Sequence, residues 1–326
     1  MSKQIKHIGV LTSGGDAPGM NAAVRAVVRT ALYRNLKVTG ILQGYTGLIN
    51  STFEELTAKS VGNILQRGGT ILKTGRSKEF LRPEFRAKAA ESLKNRGIDA
   101  LVCIGGDGTF KGANALREEH QIPVIGVPGT IDNDIYGTDY SIGFDTALNT
   151  ALEAIDKIRD TAFSHDRLFI VEVMGRDSGF IALNVGLACG AEEIFIPESP
   201  LNIDNVIDHI NKSVQRGKLS SILVTAEGQK PGRAYDLAEA IRKKSGYESK
   251  VCILGHLQRG GSPTAQDRIL ASRLGASAVE GLLVGKSGVM IGVQNDQIIT
   301  IPLAEVVTKQ KPIRLELMQL TQILSL

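Results

Sequence analysis

The sequence predicts an α/β fold of two three-layer domains, in which largely parallel sheets are flanked by helices. Short apolar runs typical of buried strands alternate along the chain with amphipathic stretches typical of helices. Glycine-rich turns follow three of these runs, as is common at the carboxyl ends of parallel strands. At 326 residues with 42% apolar side chains, the chain is long enough for two domains with buried cores.

The strands and helices are assigned from hydrophobic periodicity. The predicted strands are Ile8–Leu11, Val38–Leu42, Ala100–Ile104, Val124–Val127, Leu168–Val173, Glu193–Ile196, Ile222–Thr225, Val251–Leu254 and Val289–Val293. The predicted helices are Met20–Tyr33, Glu84–Arg96, Thr146–Asp160, Ile203–Gln215, Tyr235–Lys244, Pro263–Val284 and Arg314–Leu324. The long helix after Gly143 is the expected boundary between the domains, although composition alone does not establish it.

Composition excludes several function classes. A net charge of +4 with 5% aromatic residues and no Trp does not provide a nucleic-acid-binding surface. No apolar run approaches the roughly 20 residues of a membrane span, and the first residues lack a secretory apolar segment. Cys103, Cys189 and Cys252 have unrelated spacings, which favours reduced thiols in a cytosolic protein.

The first two glycine-rich turns are typical of phosphate binding. Thr12–Asp16 has neither the Walker spacing nor the dinucleotide fingerprint, but its glycines let backbone N–H groups approach a phosphate. Gly105–Thr109 adds Asp107, a hard oxygen ligand suited to Mg²⁺. Plain strand–helix turns are the alternative, and the second motif also occurs in kinases that act on NAD or lipids.

The third turn, Pro128–Asp134, contains the residues best suited to catalysis. A carboxylate can remove the proton of an alcohol that attacks a phosphate, and Asp132 and Asp134 share one side if the segment is extended. Thr130 can donate a hydrogen bond to a phosphate oxygen. An aspartate-rich loop without catalytic function is the alternative interpretation.

Cationic side chains follow further predicted strands or turns. Arg76 comes after a strand-like run that follows Gly68–Thr70, and Arg176 follows the strand Leu168–Val173. Guanidinium groups bind phosphates with two parallel hydrogen bonds. His256 and Arg259 follow another strand and precede two glycines, which favours ligand binding over a solvated surface.

Together these motifs resemble those of the bacterial ATP-dependent 6-phosphofructokinases. The resemblance runs from Ile8 to about Gln294, and its further markers are Leu11–Ala22, Val173–Arg176 and Leu254–Pro263. It implies two Rossmann-like domains. Residues 1–143 with 258–308 would bind the nucleotide, and residues 144–257 with 309–326 would bind the sugar phosphate.

The resemblance also implies a role for each site residue. Asp132 would take the proton from the 1-hydroxyl of fructose 6-phosphate, and Asp107 would bind Mg²⁺. The phosphoryl group being transferred would be supported by Gly14, Thr130, Asp134 and Arg176. ATP would be held by Gly14, Gly15, Arg76, Ser77, Gly106, Asp107, Gly108 and Thr109. The sugar phosphate would contact Thr130, Asp132, Met174, Gly175, Arg176, Glu227, His256 and Arg259, with Arg167 and Lys250 supplied by a neighbouring subunit.

A second family site would bind ADP or phosphoenolpyruvate as an effector between the subunits of a cytoplasmic homotetramer. Its matching positions are Arg25, Arg29, Arg159, Gly190, Glu192, Arg216 and Lys218. Two positions depart from the family pattern. Lys250 replaces an Arg, so a higher KM for the sugar phosphate is expected because an ammonium forms no planar double hydrogen bond. Thr52 replaces an effector-binding Arg of some members.

Three alternatives are weighed against this interpretation. Pyrophosphate-dependent members carry bulkier residues where this chain has Gly108 and Gly129, and both glycines favour ATP. An NAD kinase would have no use for Arg176 or the His256–Gly261 stretch. A non-catalytic sugar-phosphate sensor should have lost the base or the metal carboxylate, whereas Asp132 and Asp107 are both present.

Overall fold

The chain divides into two compact units in a computed structural model that describes residues 4–164, 168–200, 202–216, 220–229 and 231–325. The first unit comprises Met1–Thr146 and Arg259–Lys311. The second comprises Ala147–Gln258 and Pro312–Leu326. The chain therefore passes from the first unit to the second and back before it ends in the second.

Strands in both units consist mainly of β-branched and other apolar residues, as buried parallel strands require. They are β1 (His7–Ser13), β2 (Lys37–Ile41), β3 (Phe53–Glu55), β4 (Ala100–Gly105), β5 (Val124–Pro128), β6 (Leu168–Val173), β7 (Glu193–Phe195), β8 (Ser221–Ala226), β9 (Ser249–Ile253), β10 (Val289–Gln294) and β11 (Gln297–Pro302).

Helices connect these strands. They are α1 (Met20–Tyr33), α2 (Gly44–Ile49), α3 (Pro83–Arg96), α4 (Asp107–His120), α5 (Phe144–Ser164), α6 (Phe180–Ala188), α7 (Ile203–Gln215), α8 (Arg233–Ser245), α9 (Ala265–Leu283), α10 (Leu303–Val306) and α11 (Glu316–Leu324). Short 3₁₀ turns lie at Glu79–Leu81 and Gly255–Arg259.

The described part of the first unit contains a seven-stranded sheet in the order β11-β10-β5-β4-β1-β2-β3. Pairing is parallel from β10 to β2, and the edge strands β3 and β11 are antiparallel to their neighbours. The core of this unit includes Leu11 and Leu101 from the strands and Leu48, Leu93 and Phe110 from the helices.

Register aligns the ends of the three central strands. Ser13, the last residue of β1, pairs with Gly105 of β4, and Gly105 pairs with Pro128 of β5. Each of these strands ends at the same level of the sheet. The three glycine-rich turns therefore start side by side on one edge.

The connection from β5 to α5 is fixed by a buried carboxylate. Asp267 on α9 is 1% exposed and accepts hydrogen bonds from the backbone N–H groups of Gly143 and Thr146, each at 2.8 Å. It caps the first turn of α5, whose N–H groups have no partner within the helix. Burial raises the pKa of Asp267, although these hydrogen bonds favour its ionised form.

Among its described residues, the second unit has a four-stranded parallel sheet in the order β7-β8-β6-β9. Val173 at the end of β6 pairs with Ala226 at the end of β8. Its core is formed by Ile170, Leu223 and Ile241 with their neighbours. The residues after Val173 and Ala226 therefore emerge together at one edge of this sheet.

The predicted α/β class with largely parallel sheets is confirmed. Helices α1 and α7 have the predicted bounds, and a strand lies at each of the nine predicted positions. Strands β3 and β11 were missed. Both are edge strands that are largely exposed; β3 has only three residues, and β11 follows β10 directly after a short turn. Helix α6 was missed because Phe180–Ala188 is apolar nearly all round and has no polar face.

Candidate active site

Two features lock the first turn in place after β1. Gly14 has a φ of 90°, a backbone conformation that residues other than glycine rarely adopt. Its N–H donates to the Gly75 carbonyl at 3.2 Å. The Thr74 hydroxyl donates to the Gly14 carbonyl at 2.9 Å. These bonds place Arg76 and Ser77 beside the first turn, although they lie some 60 residues away in sequence.

Arg76 is exposed, and the sequence-based argument for its position was wrong. Residues 71–76 form turns and irregular structure rather than a strand. Arg76 is nevertheless close to the first turn because of the contacts of Thr74 and Gly75. The Ser77 hydroxyl accepts a hydrogen bond from the Phe80 N–H at 3.3 Å and begins the following 3₁₀ turn.

Arg259 packs against the same first turn. Its Nη1 donates to the Asp16 carbonyl at 3.0 Å, and the residue is 9% exposed. A Cβ at Gly15 would lie 2.6 Å from that Nη1. A side chain at Gly15 would therefore displace the guanidinium from its present position. Arg259 belongs to the first unit.

The second turn leads directly into α4. A Cβ at Gly105 would lie 2.4 Å from the Ser13 carbonyl oxygen, and the Thr109 hydroxyl donates to that same oxygen at 3.1 Å. Gly106 precedes the helix, and Asp107 is its first residue. Gly108 is exposed, and a Cβ there would meet nothing within 4 Å. The helix N-terminus therefore opens onto free space, as anion binding requires.

The third turn is held against the second and is not extended. The Gly129 N–H donates to the Gly105 carbonyl at 2.9 Å, and the Asp132 N–H donates to the Thr130 hydroxyl at 3.2 Å. Asn133 has a φ of 52°, in the left-handed region. The extended conformation that would place Asp132 and Asp134 on one side is therefore not the one observed.

The carboxylates of this edge nevertheless act on one another. Burial and the charge of Asp132 raise the pKa of Asp134 to about 6, with a smaller contribution from Asp107. Lys311 acts in the opposite direction. Asp132 is 9% exposed, whereas Asp134 is surrounded by protein but still open to water. Two acids in such different environments are suited to different roles.

The residues present fit a magnesium ion that is shared with a nucleotide. Within the described ranges, no three His, Cys, Asp or Glu side chains are grouped to enclose a metal. Mg²⁺ in kinases commonly takes one or two carboxylates and fills its remaining positions with phosphates and water. The Asp107 carboxylate is 46% exposed at the start of α4 and forms an ion pair of 2.7 Å with Lys111. It has the hard oxygen donors that Mg²⁺ prefers.

In the second unit, the residues after β6 form a tight loop. Gly175 has a φ of 139°, and a Cβ there would lie 2.4 Å from the Ser178 carbonyl oxygen. Arg176 follows with a φ of 51°, and it is exposed. The Met174 N–H donates to the buried side chain of Gln258 at 2.8 Å. This loop presents the guanidinium of Arg176 to solvent.

Glu227 lies at the neighbouring strand end. Its N–H donates to the Val173 carbonyl at 2.9 Å, and the residue is 7% exposed. The loop that follows is anchored by the buried Glu172, which accepts from the N–H groups of Gly232 and Ala234, each at 2.8 Å. The structure thus brings Glu227 and the Met174–Arg176 loop to one edge.

The remaining residues of this unit that were predicted to bind the sugar phosphate are His256, Lys250 and Arg167. His256 is exposed on the 3₁₀ turn after β9, and Lys250 is exposed on β9, an edge strand. Arg167 lies outside the described residues.

The predicted effector residues fall in both units. Arg25 and Arg29 lie one turn apart on α1. The Arg159 guanidinium donates to the carbonyls of Cys189 and Gly190, so the structure places Arg159 and Gly190 together. The buried Glu192 carboxylate accepts from the Ile222 N–H. Arg216 is exposed after α7, and Lys218 lies outside the described residues.

Several residues that build the site were missed from the sequence. Thr74 has no motif around it, and Glu172 is hidden within an apolar strand. Gln258 lies inside the predicted His256–Gly261 stretch, which was a usable signal. Lys311 lies in the last part of the chain, where no motif was found.

Comparison with known proteins identifies the family. The Phosphofructokinase profile matches residues 7–282. The chain belongs to the phosphofructokinase family. ATP-dependent 6-phosphofructokinase 1 of Thermus thermophilus is 60% identical over 322 residues, covering 99% of this chain and 100% of that relative. ATP-dependent 6-phosphofructokinase 2 of Bacteroides thetaiotaomicron is 53% identical over 323 residues, 99% of each chain. The family predicted from the motifs is confirmed.

Solved phosphofructokinases share the fold. The Saccharomyces cerevisiae structure has a TM-score of 0.88 at 39% identity; the match covers 93% of this chain and 45% of the yeast chain. A pyrophosphate-dependent phosphofructokinase from Marinobacter aquaeolei has a TM-score of 0.84 at 26% identity; the match covers 96% of this chain and 86% of that one. Proteins with different phosphoryl donors therefore have this fold, so local residues must determine the donor. In the described ranges, no helix has both the length and the apolar character that a membrane span requires.

Proposed function

We propose that this phosphofructokinase transfers the γ-phosphoryl group of ATP to the 1-hydroxyl of fructose 6-phosphate, giving fructose 1,6-bisphosphate and ADP. The observation that carries the proposal is the aligned edge of the first sheet. Three turns start there side by side and present glycine backbone together with Asp107, Asp132 and Asp134. High identity to ATP-dependent members over the full length supports the same reaction.

Asp132 is the general base. It is 9% exposed, and its backbone N–H donates to the Thr130 hydroxyl, which holds the main chain of the turn at this residue. As the sugar oxygen attacks phosphorus, the hydroxyl proton moves to this carboxylate. Asp134, whose pKa is raised to about 6 by burial and by Asp132, supports the reacting groups.

The first unit binds the nucleotide. Backbone N–H groups around Gly14, Gly15 and Gly106–Thr109 bind the phosphates, with Arg76 and Ser77 alongside. Asp107 would hold Mg²⁺, which when bound neutralises charge on the donor phosphates. The open space at Gly108 accommodates a nucleotide beyond its β-phosphate, which favours ATP over pyrophosphate.

The sugar phosphate is bound by Met174, Gly175, Arg176, Glu227 and His256, and also by Thr130, Asp132 and Arg259. Arg176 neutralises charge on the phosphoryl group during transfer. Arg167 and Lys250 would be supplied to the 6-phosphate by a neighbouring subunit, and the proposed assembly is a cytoplasmic homotetramer. ADP or phosphoenolpyruvate binds the site formed by Arg25, Arg29, Arg159, Gly190, Glu192, Arg216 and Lys218.

A coupled assay for fructose 1,6-bisphosphate tests the proposal. The purified protein is given fructose 6-phosphate and Mg²⁺ with ATP, and in a parallel reaction with pyrophosphate. Turnover with ATP and little with pyrophosphate is expected. Faster turnover with pyrophosphate would instead support the pyrophosphate-dependent alternative, and binding without turnover would indicate a sugar-phosphate sensor.

A further inference from the structure

Lys311 reaches back from the end of the first unit to the loop that follows β5. Its Nζ donates to the Asn133 carbonyl and to the Asp139 carbonyl, each at 2.9 Å. The residue is partly buried. An ammonium group has three donors and binds carbonyl oxygens strongly because it is charged. One side chain therefore joins two points of the loop that lie six residues apart.

The first contact of Lys311 is with Asn133, which lies between Asp132 and Asp134 in the sequence. The Asn133 carbonyl belongs to the peptide group that links Asn133 to Asp134. With Asn133 in the left-handed region at a φ of 52°, the direction of this carbonyl determines where the backbone of Asp134 goes. By holding the Asn133 carbonyl oxygen, Lys311 thus fixes the plane of the peptide group that joins Asn133 to Asp134.

The second point is attached to the sheet. The Asp139 N–H donates to the Val293 carbonyl at 2.8 Å, and the Asp139 carboxylate accepts from the Asn295 N–H at 2.8 Å. Both partners belong to the β10–β11 hairpin or its turn. Lys311 therefore links Asn133, at the start of the loop, to Asp139, which is hydrogen-bonded to the β10–β11 hairpin.

Side-chain contacts of Asn133 reinforce this arrangement. Its Nδ2 donates to the Asp139 carbonyl at 3.2 Å, and its Oδ1 accepts from the Ser141 N–H at 2.9 Å. The Asp139 carbonyl is thus shared by Lys311 and Asn133. The Lys311 charge also lowers the pKa of Asp134 against the raising effects of burial and Asp132, which favours the carboxylate form.

We infer that Lys311 is a positioning residue that holds the peptide between Asp132 and Asp134 in its reactive orientation. This inference rests on the proposed function of that pair. Lys311 acts through the loop backbone rather than on the reacting atoms. Its removal should therefore affect the chemical step more than the binding of either substrate.

Lys311→Met tests the inference because it keeps the aliphatic chain and removes the charged donors. We expect kcat to fall about 10- to 100-fold, with the KM of each substrate within about threefold of wild type. Lys311→Arg keeps the charge and donors and should recover most of the rate. Lys88→Met is the control, since Lys88 is an exposed lysine of the first unit on α3. It should behave as wild type.

Hydrogen exchange of the ligand-free protein gives a second measurement that does not need activity. Lys311→Met should increase amide exchange in peptides covering residues 132–141, and Lys88→Met should not. Lys311→Gln serves in both measurements if the Met variant fails to fold. Unchanged kcat and exchange, or equal effects of the two Met variants, would overturn the inference. The wild-type rate separately tests the proposed function, so the two can fail independently.

Discussion

At the scale of single residues, the environment of each aspartate decides its chemistry. Asp107 is half-exposed at a helix start, Asp132 is buried beside Thr130, and Asp134 carries a raised pKa. The same carboxyl group is therefore suited to metal binding, proton transfer or a supporting role according to burial and neighbouring charge.

Asp132→Asn should abolish most turnover. The amide has nearly the same shape but cannot take the hydroxyl proton, so kcat should fall about 10²- to 10⁴-fold. Steady-state kinetics with ATP and fructose 6-phosphate measure this, and a thermal melt checks that the variant is folded. A folded variant with normal turnover would remove Asp132 from the role of base.

Asp134→Asn should make the ligand-free protein more stable above pH 6. A carboxyl group whose pKa is higher in the folded chain than in the unfolded chain stabilises the fold at low pH, and this contribution is lost as pH rises through about 6. Since Asp134 is open to water, the gain at pH 8 should be about 1 kcal/mol or less.

Thermal melts without metal or nucleotide, at pH 8 and pH 4.5, check this expectation. The stabilisation should be present at the higher pH and should largely disappear at the lower one. Asp156→Asn, on an exposed position of α5, is the control. A destabilised Asp134→Asn protein at pH 8 would contradict the assigned direction.

At the scale of elements, the glycines of the turns differ in whether local packing requires them. Gly105 is required by close packing, because a Cβ would collide with the Ser13 carbonyl and the Thr109 side chain. Gly108, in the first turn of α4, has open space around it and an ordinary backbone conformation. Its local structure does not require glycine, in keeping with the proposed role of this position in nucleotide binding.

Gly108→Ala should therefore separate stability from function. Alanine in a helix is favoured over glycine by roughly 0.5–1 kcal/mol, so the ligand-free variant should be equally or more stable. The methyl group should crowd the nucleotide and raise the KM for ATP. Thermal melts and kinetics with ATP measure both effects, and an unchanged KM for ATP would show that the space at Gly108 is not used by the donor.

The elements also show the extent and the limits of prediction from sequence. Apolar runs identified the central strands, and their glycine-rich ends identified the edge at which the site lies. Asp132 and Asp134 were found, but their geometry was not, because the left-handed conformation of Asn133 depends on contacts with Asp139 and Ser141. Lys311 was not found because its contacts span about 170 residues.

At the scale of the whole molecule, the proposed site is completed by a neighbouring subunit. A chain with Asp132→Asn and a chain with Lys250→Met would carry defects in different parts of a shared site. If the two are unfolded and refolded together, a site that takes Asp132 from one chain and Lys250 from the other is intact. With random mixing, roughly a quarter of the sites should be of this kind.

Activity at low fructose 6-phosphate measures this complementation. The mixture should exceed the sum of the two variants refolded separately. Mixing the folded variants without refolding is the control, and it should give no gain. No gain after refolding, with tetramers recovered, would mean that Lys250 does not serve a neighbouring active site.

The sequence alone determined the α/β class, the family and the identity of the main polar residues. Periodicity and turn composition act over short stretches of chain, so they can be recognised without the fold. Tertiary structure decided which distant segments meet: the Thr74–Gly75 contacts that bring Arg76 to the first turn, and the reach of Lys311 to the loop after β5. These contacts depend on strand order and register, which set distances between residues far apart in sequence and leave no local pattern to recognise.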